Sequence, residues 1–405
     1  MKIALINTLY APYRVGGAER SVQLLAEGLV ADGHDVFVVT LQEPRRGTRL
    51  EIVNGVRLYR LSLRNVYWPW AGVERKPPYP ARLVWHAIDR HNPGATRAVR
   101  KILEREQPDI VHTHNLTGFS AGVWNIANRL RVPIVHTIRD YSLMCPRGMY
   151  KNGANCAALC GACRFYSAPR RRASSALAAV IGVSRFVVAR HENAGFFRGV
   201  PIKTVIHNAV GPSSERNRCL PSTGVPKGPL RLGYIGRLDP LKGIEHLIAA
   251  YHELVAEGAP VQLKVAGRGA PPYEAHLRDV AGKGPGVEWL GFIEPERFFG
   301  QIDVAVVPSV WEEPFGRTVI EALAFGVPVI AARRGGIPEI VVDGKNGWLY
   351  DPDEPGALRR LIGELVRAWP DVGHVAQEAR STAQAFTTER YVGQHEHLYR
   401  MVVES

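Results

Sequence analysis

The chain has 405 residues, 46% hydrophobic and 22% charged, which excludes disorder as its main state and leaves room for two or three domains. No apolar run reaches the ~18–20 residues that span a bilayer. The opening MKIALIN lacks the apolar core and cleavage site of a secretory signal, so a cytoplasmic protein is expected. The net charge of +13 is uneven: residues 1–200 carry +16 and residues 201–405 carry −3. Either the first half faces an anionic partner or the chain has a compositional arginine bias.

In chain order, residues 2–7 read as a buried parallel strand and residues 13–17 as a glycine loop. Residues 18–32 read as a helix with Val22, Leu25, Leu29 and Val30 on one face, and 36–40 as the next strand. This β–loop–α–β order opens a doubly wound α/β domain. The stretch 44–80, rich in Arg, Pro and Trp, indicates no element. A helix is expected over 97–106 and strands over 109–114, 132–138 and 177–183. A helix then runs through His191, and a strand over 204–208 closes the half.

Residues 209–229 are polar, rich in Pro and Gly and without periodicity, and read as a linker. The alternation then restarts, with strands over 230–235, 261–265, 287–290, 304–308 and 327–331 and helices over 243–257 and 317–325. The expected class is α/β, with two Rossmann-like doubly wound parallel-sheet domains facing a cleft. The expected domains are 1–208 and 230–385. Ligands sit beyond the carboxyl ends of such strands.

The densest chemistry is PSVWEEPFGRTVIEALAFG at 308–326. A strand ends, a loop carries acids, and a helix starts near Gly316. Free N–H groups at a helix start suit an anion. Glu313 and Glu321 can flank a bound ligand, or be a helix-terminal charge and a solvated face residue. Glu321 lies among Val319, Ile320, Ala322 and Leu323, where a lone carboxylate is costly. Earlier, Arg237 and Lys242 stand five apart after a strand end, between Gly236 and Gly243. They suit the charge of a leaving group, or form an ordinary turn and helix start.

Several separated motifs in this order resemble the retaining glycosyltransferases of family 4, which have the GT-B fold. They are EPFGRTVIEALAFGVPVIA from Glu313, GGIPE from Gly335, GRLDPLKG from Gly236, VGGAER from Val15 and HTH from His112 to His114, with Ser184 and Asn208 at recurring positions. The resemblance implies that Glu321 binds the donor's ribose and Glu313 the donor sugar. Arg237 and Lys242 then neutralise the diphosphate, with Phe315 and Gly316 completing the donor site. Gly16 and Gly17 would let backbone approach a phosphate, though a Gly-Gly pair alone marks a turn more often, and the absence of G-x-G-x-x-G argues against a nicotinamide dehydrogenase.

By the same resemblance His114 contacts the donor sugar and the reacting centre. Alone, such a histidine is more often structural. It is preferred to His112 because it lies nearer the strand's carboxyl end. Many relatives carry His-Asp before Tyr and Cys-Pro, whereas this chain has Arg139 and Asp140 there. Asp140 is a candidate acceptor-side base or binder. The final segment, 386–405, is expected to be a helix returning to the first domain.

Cys145, Cys156, Cys160 and Cys163 have the spacing C-x10-C-x3-C-x2-C. They read as reduced thiols, a structural zinc site, or a disulfide or iron–sulfur arrangement. Asp351 and Asp353 form a D-x-D read as a turn and helix cap, and no catalytic metal is expected. Trp68, Trp70, Tyr79 and Trp85 interleave with Lys76 and arginines, which suits sugar stacking, a membrane interface or a packed loop. No nucleic-acid motif is present.

The expected activity is retaining transfer from a nucleoside diphosphate sugar to a glycan or lipid-linked hydroxyl, in cell-surface polysaccharide or glycolipid synthesis. The basic first half suits an anionic membrane or an acidic glycan. The rivals are a GT-B epimerase or phosphorylase, and a non-catalytic glycan- or membrane-binding subunit.

Overall fold

Apolar runs that do not alternate are suited to strands buried on both faces. The computed structural model describes residues 1–13, 16–44, 46–70, 77–211, 228–282, 286–368 and 373–404. The linker expected over 209–229 lies largely outside these residues, as do Val15, Lys76 and Cys219. The chain divides into two compact units, Met1–Ala209 with Thr388–Ser405, and Val210–Thr387.

In the first unit the strands are β1 (Lys2–Ile6), β2 (Asp35–Gln42), β3 (Arg49–Val53), β4 (Val56–Ser62), β5 (Ile110–Thr113), β6 (Ile134–Ile138), the two-residue β7 (Tyr150–Lys151) and β8 (Ala154–Asn155), β9 (Ala179–Gly182) and β10 (Ile202–Val205). Eight of them form a sheet in the order β10-β9-β6-β5-β1-β2-β4-β3, parallel except for β3 at the edge. β3 and β4 form a hairpin inside the stretch whose composition indicates no element. Its turn is Asn54–Gly55, both at positive φ, a pairing that matches strand twist in a two-residue loop.

Helices α1 (Gly17–Ala31), α2 (Tyr79–Arg90), α3 (Pro93–Glu106), α4 (Gly122–Arg129), α5 (Gly161–Ala173) and α6 (Arg185–Asn193) belong to this unit. α3 starts four residues before the sequence expectation. Pro93 fits the first turn, and Asn92 Oδ1 accepts the Ala95 amide at 3.0 Å. α2 and α5 are tied by a buried ion pair: Arg170 donates to Asp89 at 2.6 Å, and Tyr166 donates to the same carboxylate at 3.1 Å.

In the second unit the strands are β11 (Leu230–Ile235), β12 (Val261–Ala266), β13 (Val287–Gly291), β14 (Val304–Val307), β15 (Val329–Ala332) and β16 (Gly347–Tyr350). They form one parallel sheet in the order β13-β12-β11-β14-β15-β16. By position within the unit this is 3-2-1-4-5-6, the order of dinucleotide-binding α/β sheets. The helices are α7 (Ile244–Ala256), α8 (Pro271–Ala281), α9 (Pro295–Phe299), α10 (Arg317–Ala324), α11 (Ala357–Ala368) and α12 (Gly373–Ala383). The last helix, α13 (Thr388–Glu404), belongs to the first unit, where Tyr391, Val392, Leu398, Tyr399 and Val402 join the core around β1 and α1.

Candidate functional site

In the second unit the strand order reverses between the neighbours β11 and β14. A crevice forms beyond the carboxyl ends of strands at such a point. The loops that follow these two strands carry residues 236–243 and 308–316, the two motif segments of this half. Two glycines let them meet. Gly243 has φ 67°, and a Cβ there would lie 2.0 Å from the Pro308 carbonyl oxygen. Gly335 has φ 58°, and a Cβ there would lie 1.9 Å from the Glu313 carbonyl oxygen. The Val310 amide donates to the Leu241 carbonyl at 3.2 Å, and the Gly336 amide to the Glu313 carbonyl at 2.8 Å. The loops after β11, β14 and β15 are thereby stitched together.

This places Lys242 Nζ 2.5 Å from Glu313 Oε1, and Ser309 Oγ donates to that same oxygen at 2.7 Å. Glu313 is largely buried, so its charge needs both partners. Ser309 goes unnoticed in sequence because one hydroxyl in a loop carries no signal. Arg237 is half exposed and pairs with Asp239 at 3.1 Å. Asp239 in turn caps the turn Pro240–Lys242 by accepting the Leu241 amide at 3.0 Å.

Glu321 corrects one expectation. It is not a lone carboxylate among apolar groups, because Arg317 Nε donates to it at 2.7 Å from one turn away and it is partly exposed. Phe315 is buried edge-on to Phe386, with centroids 6.2 Å apart. Its ring thus helps fix the loop. Gly316, at φ 101°, caps α10 without a side chain to claim the first amides.

In the first unit the order reverses between β1 and β5. His114 follows β5, its amide donating to the Ile6 carbonyl at 2.9 Å, and the ring is buried. Arg139 Nε donates to His114 Nδ1 at 3.2 Å. An arginine only donates, so the ring proton sits on Nε2, which has no partner among the described residues. Burial, then His112 and Arg139, push the His114 imidazole well below its usual range, so it is a neutral donor. His112, with its ring 4.1 Å from that of His114, is engaged at both nitrogens by Tyr399 at 2.6 Å and Thr137 at 2.7 Å.

Asp140 uses both oxygens locally: Oδ2 accepts Asn115 Nδ2 at 2.7 Å and Oδ1 accepts the Ser142 amide at 2.7 Å. Gly16 is extended at φ −155°, a conformation that does not require glycine, and its amide donates to Glu19 Oε2 at 3.0 Å. Gly17 is the first residue of α1.

The sulfurs of Cys145 and Cys163 are 3.3 Å apart, and Cys145, Cys156, Cys160 and Cys163 are free thiols. Burial and then Cys145 push the Cys163 thiol up, while the Cys163 backbone N–H lowers Cys160, the cap residue of α5. Among the described residues no three His, Cys, Asp or Glu side chains are gathered in a metal-holding group. Trp68, Trp70 and Trp85 pack edge-on at 4.8 and 6.4 Å, with Trp85, on α2, buried. The Asp353 amide donates to Asp351 Oδ1 at 2.9 Å, closing a turn, and α11 begins at Ala357.

Residues 216–382 match the family model "Glycosyl transferases group 1", and residues 16–209 match "Glycosyl transferase 4-like domain". An uncharacterized 42.6 kDa protein in the cps region of Klebsiella pneumoniae is 35% identical over 341 residues, 84% of this chain and 87% of that protein. Sucrose-phosphate synthase from Thermosynechococcus elongatus has a similar structure, with a TM-score of 0.74 and 23% identity over 100% of this chain and 99% of that one. Anabaena HepE in complex with UDP gives a TM-score of 0.72 at 19% identity over 99% of this chain and 100% of that one. At these identities the two structures speak for the fold.

Proposed function

The chain belongs to the 4-like glycosyltransferases of the GT-B fold, and from that premise we propose that it moves a glycosyl group from a nucleoside diphosphate sugar to an acceptor hydroxyl with retention of configuration. The observation that carries this reading is Lys242 held against Glu313 and Ser309 where the loops after β11 and β14 meet. A cation beyond adjacent strand ends at a topological switch point is placed to stabilise charge on a departing diphosphate. Arg237 adds a second cation on the same loop. Glu313 and Glu321 are acceptors for donor hydroxyls. The acceptor hydroxyl attacks the anomeric carbon on the face from which the diphosphate leaves, and its proton passes to that leaving group. No divalent cation is needed.

The acceptor is a glycan or lipid-linked sugar of cell-surface polysaccharide, a reading supported by the relative from a cps region. Among the described residues no helix is long and apolar enough to cross a membrane. Contact with an anionic membrane is supported by Tyr79, Leu83 and Val84 on α2 and Phe165 on α5, all exposed in the half that carries +16.

The test is a melting and turnover panel of UDP-, GDP- and ADP-sugars, beginning with UDP because HepE was solved with it. One nucleotide series is expected to raise the melting temperature and be consumed only with acceptor, and NMR should show a retained anomer. No binding by any nucleotide would favour a non-catalytic subunit. Donor conversion without acceptor would favour an epimerase, and release of a sugar phosphate from glycan and phosphate a phosphorylase.

A further inference from the structure

Arg139 sits at the carboxyl end of β6 and is 8% exposed. Its Nε donates to His114 Nδ1 at 3.2 Å, Nη1 to Asn208 Oδ1 at 2.6 Å, and Nη2 to the Tyr391 hydroxyl at 2.7 Å. All three acceptors are neutral, and among the described residues no Asp or Glu forms an ion pair with this guanidinium. A guanidinium has five N–H donors, so one on each terminal nitrogen remains unclaimed. Two such donors on neighbouring nitrogens suit the two oxygens of a carboxylate or phosphate.

A second observation points to the same place. His114 is 2% exposed, and its Nε2–H is a buried donor with no partner among the described residues. Buried polar groups are satisfied in most folded proteins, and an exception calls for an explanation such as a ligand. Asp140, the next residue, has its carboxylate engaged by Asn115 and the Ser142 amide and not by Arg139. His112, His136 and His395 are all held neutral, chiefly by burial with Arg139 contributing, and no carboxylate raises any of them. A buried ion without a counter-ion is expensive to fold around. Elsewhere in the same unit Arg170 is buried only with Asp89 against it at 2.6 Å.

We propose that Arg139 and His114 form an anion subsite that reads a carboxylate or phosphate on one of the sugars this enzyme handles, so that its substrate is a uronic acid or a sugar phosphate. The subsite lies wholly within the first unit, and its meaning for catalysis rests on the glycosyl-transfer reading above. The anionic oxygens occupy the fork of Arg139 and accept the His114 Nε2 proton. Asn208 and Tyr391, each accepting from one terminal nitrogen, hold the guanidinium in place.

The full chain is titrated calorimetrically with glucuronate, glucose 6-phosphate and glucose, with and without UDP. The wild type is expected to bind one of the two acids about tenfold or more tightly than glucose, the worth of one charge-assisted hydrogen-bonded contact. Glucuronate in that role identifies a carboxylate, and glucose 6-phosphate a phosphate. Arg139→Gln should bring the acid within about twofold of glucose, and Arg139→Lys should retain part of the preference. UDP affinity should be unchanged in both. Equal binding of acids and glucose by the wild type overturns the subsite, as does a preference that survives in a folded Arg139→Gln variant. If that variant does not fold, the wild-type comparison decides alone. Failure of UDP to bind breaks the reading of the donor loops and leaves the titration without UDP to judge the subsite.

Discussion

Arg170 and Arg139 are both buried in the first unit, at 2% and 8% exposure, but in different company. Arg170 meets the Asp89 carboxylate, which also accepts from Tyr166 and from the Gly118 amide. That cluster is electrically closed and locks α2 to α5. Arg139 meets an imidazole, an amide and a phenol, none of which carries charge. The cations of the second unit resemble Arg170 in this respect: Lys242 has Glu313, Arg237 has Asp239 and Arg317 has Glu321. An ion with a resident counter-ion is compatible with a structural role or with exchange of partners on binding. An ion without one is still waiting for part of its site.

Four experiments break or sharpen this contrast. The largest effect should come from acid. His112, His114, His136, His191 and His395 are buried neutral, with His136 and His395 lowered to about 3 and His191 to about 4. Their folded values lie below the unfolded one, so the unfolded chain takes up protons that the native state refuses. Stability is therefore full above about pH 6.5 and is lost as pH falls toward the folded values, at about 1.4 kcal/mol per pH unit for each such histidine. The melting temperature should drop steeply between pH 6.5 and 5, and a flat profile over that range would show that these rings take up protons as readily in the native state as in the unfolded chain.

Next, Asp89→Ala should cost about 3–5 kcal/mol in denaturant unfolding, because it strands the Arg170 charge in the core. A loss below about 1 kcal/mol would mean that water reaches Arg170. Comparable in size, but in rate, Lys242→Ala should lower turnover about 10²–10³-fold with a folded protein, as loss of a charge-stabilising donor does. Unchanged turnover would remove Lys242 from the chemistry. Smallest, Arg139→Met should change unfolding free energy by no more than about 1–2 kcal/mol, since three lost hydrogen bonds are offset by relief from burying an unpaired ion. A loss as large as that of Asp89→Ala would make Arg139 a structural residue.

Much of the candidate site in the second unit was legible because its parts are contiguous. Residues 308–326 contain the loop after β14 with Glu313 and the helix α10 with Glu321, and GRLDPLKG holds Arg237 and Lys242 five positions apart. The pairing of Lys242 with Glu313 spans 71 positions and was not legible, although each partner had been picked out separately. The β3–β4 hairpin carried a readable signal in Asn54–Gly55, obscured by the arginines and tryptophans around it. The cysteine spacing leaves thiols, a metal centre and a disulfide open, because spacing does not fix where sulfurs point; in the fold Cys163 meets both Cys145, at 3.3 Å, and Cys160.

The sequence by itself determined the α/β alternation, the motif loops and the family resemblance, because strand burial, helix periodicity and glycine turns are local and leave their period in the chain. It registered Arg139 only as a departure from a histidine. The tertiary structure decided what that departure means, by drawing together residues 25, 69 and 252 positions away. Whether an arginine is structural or open to a ligand depends on desolvation and on the charges packed against it. Those are properties of the folded interior that no spacing encodes.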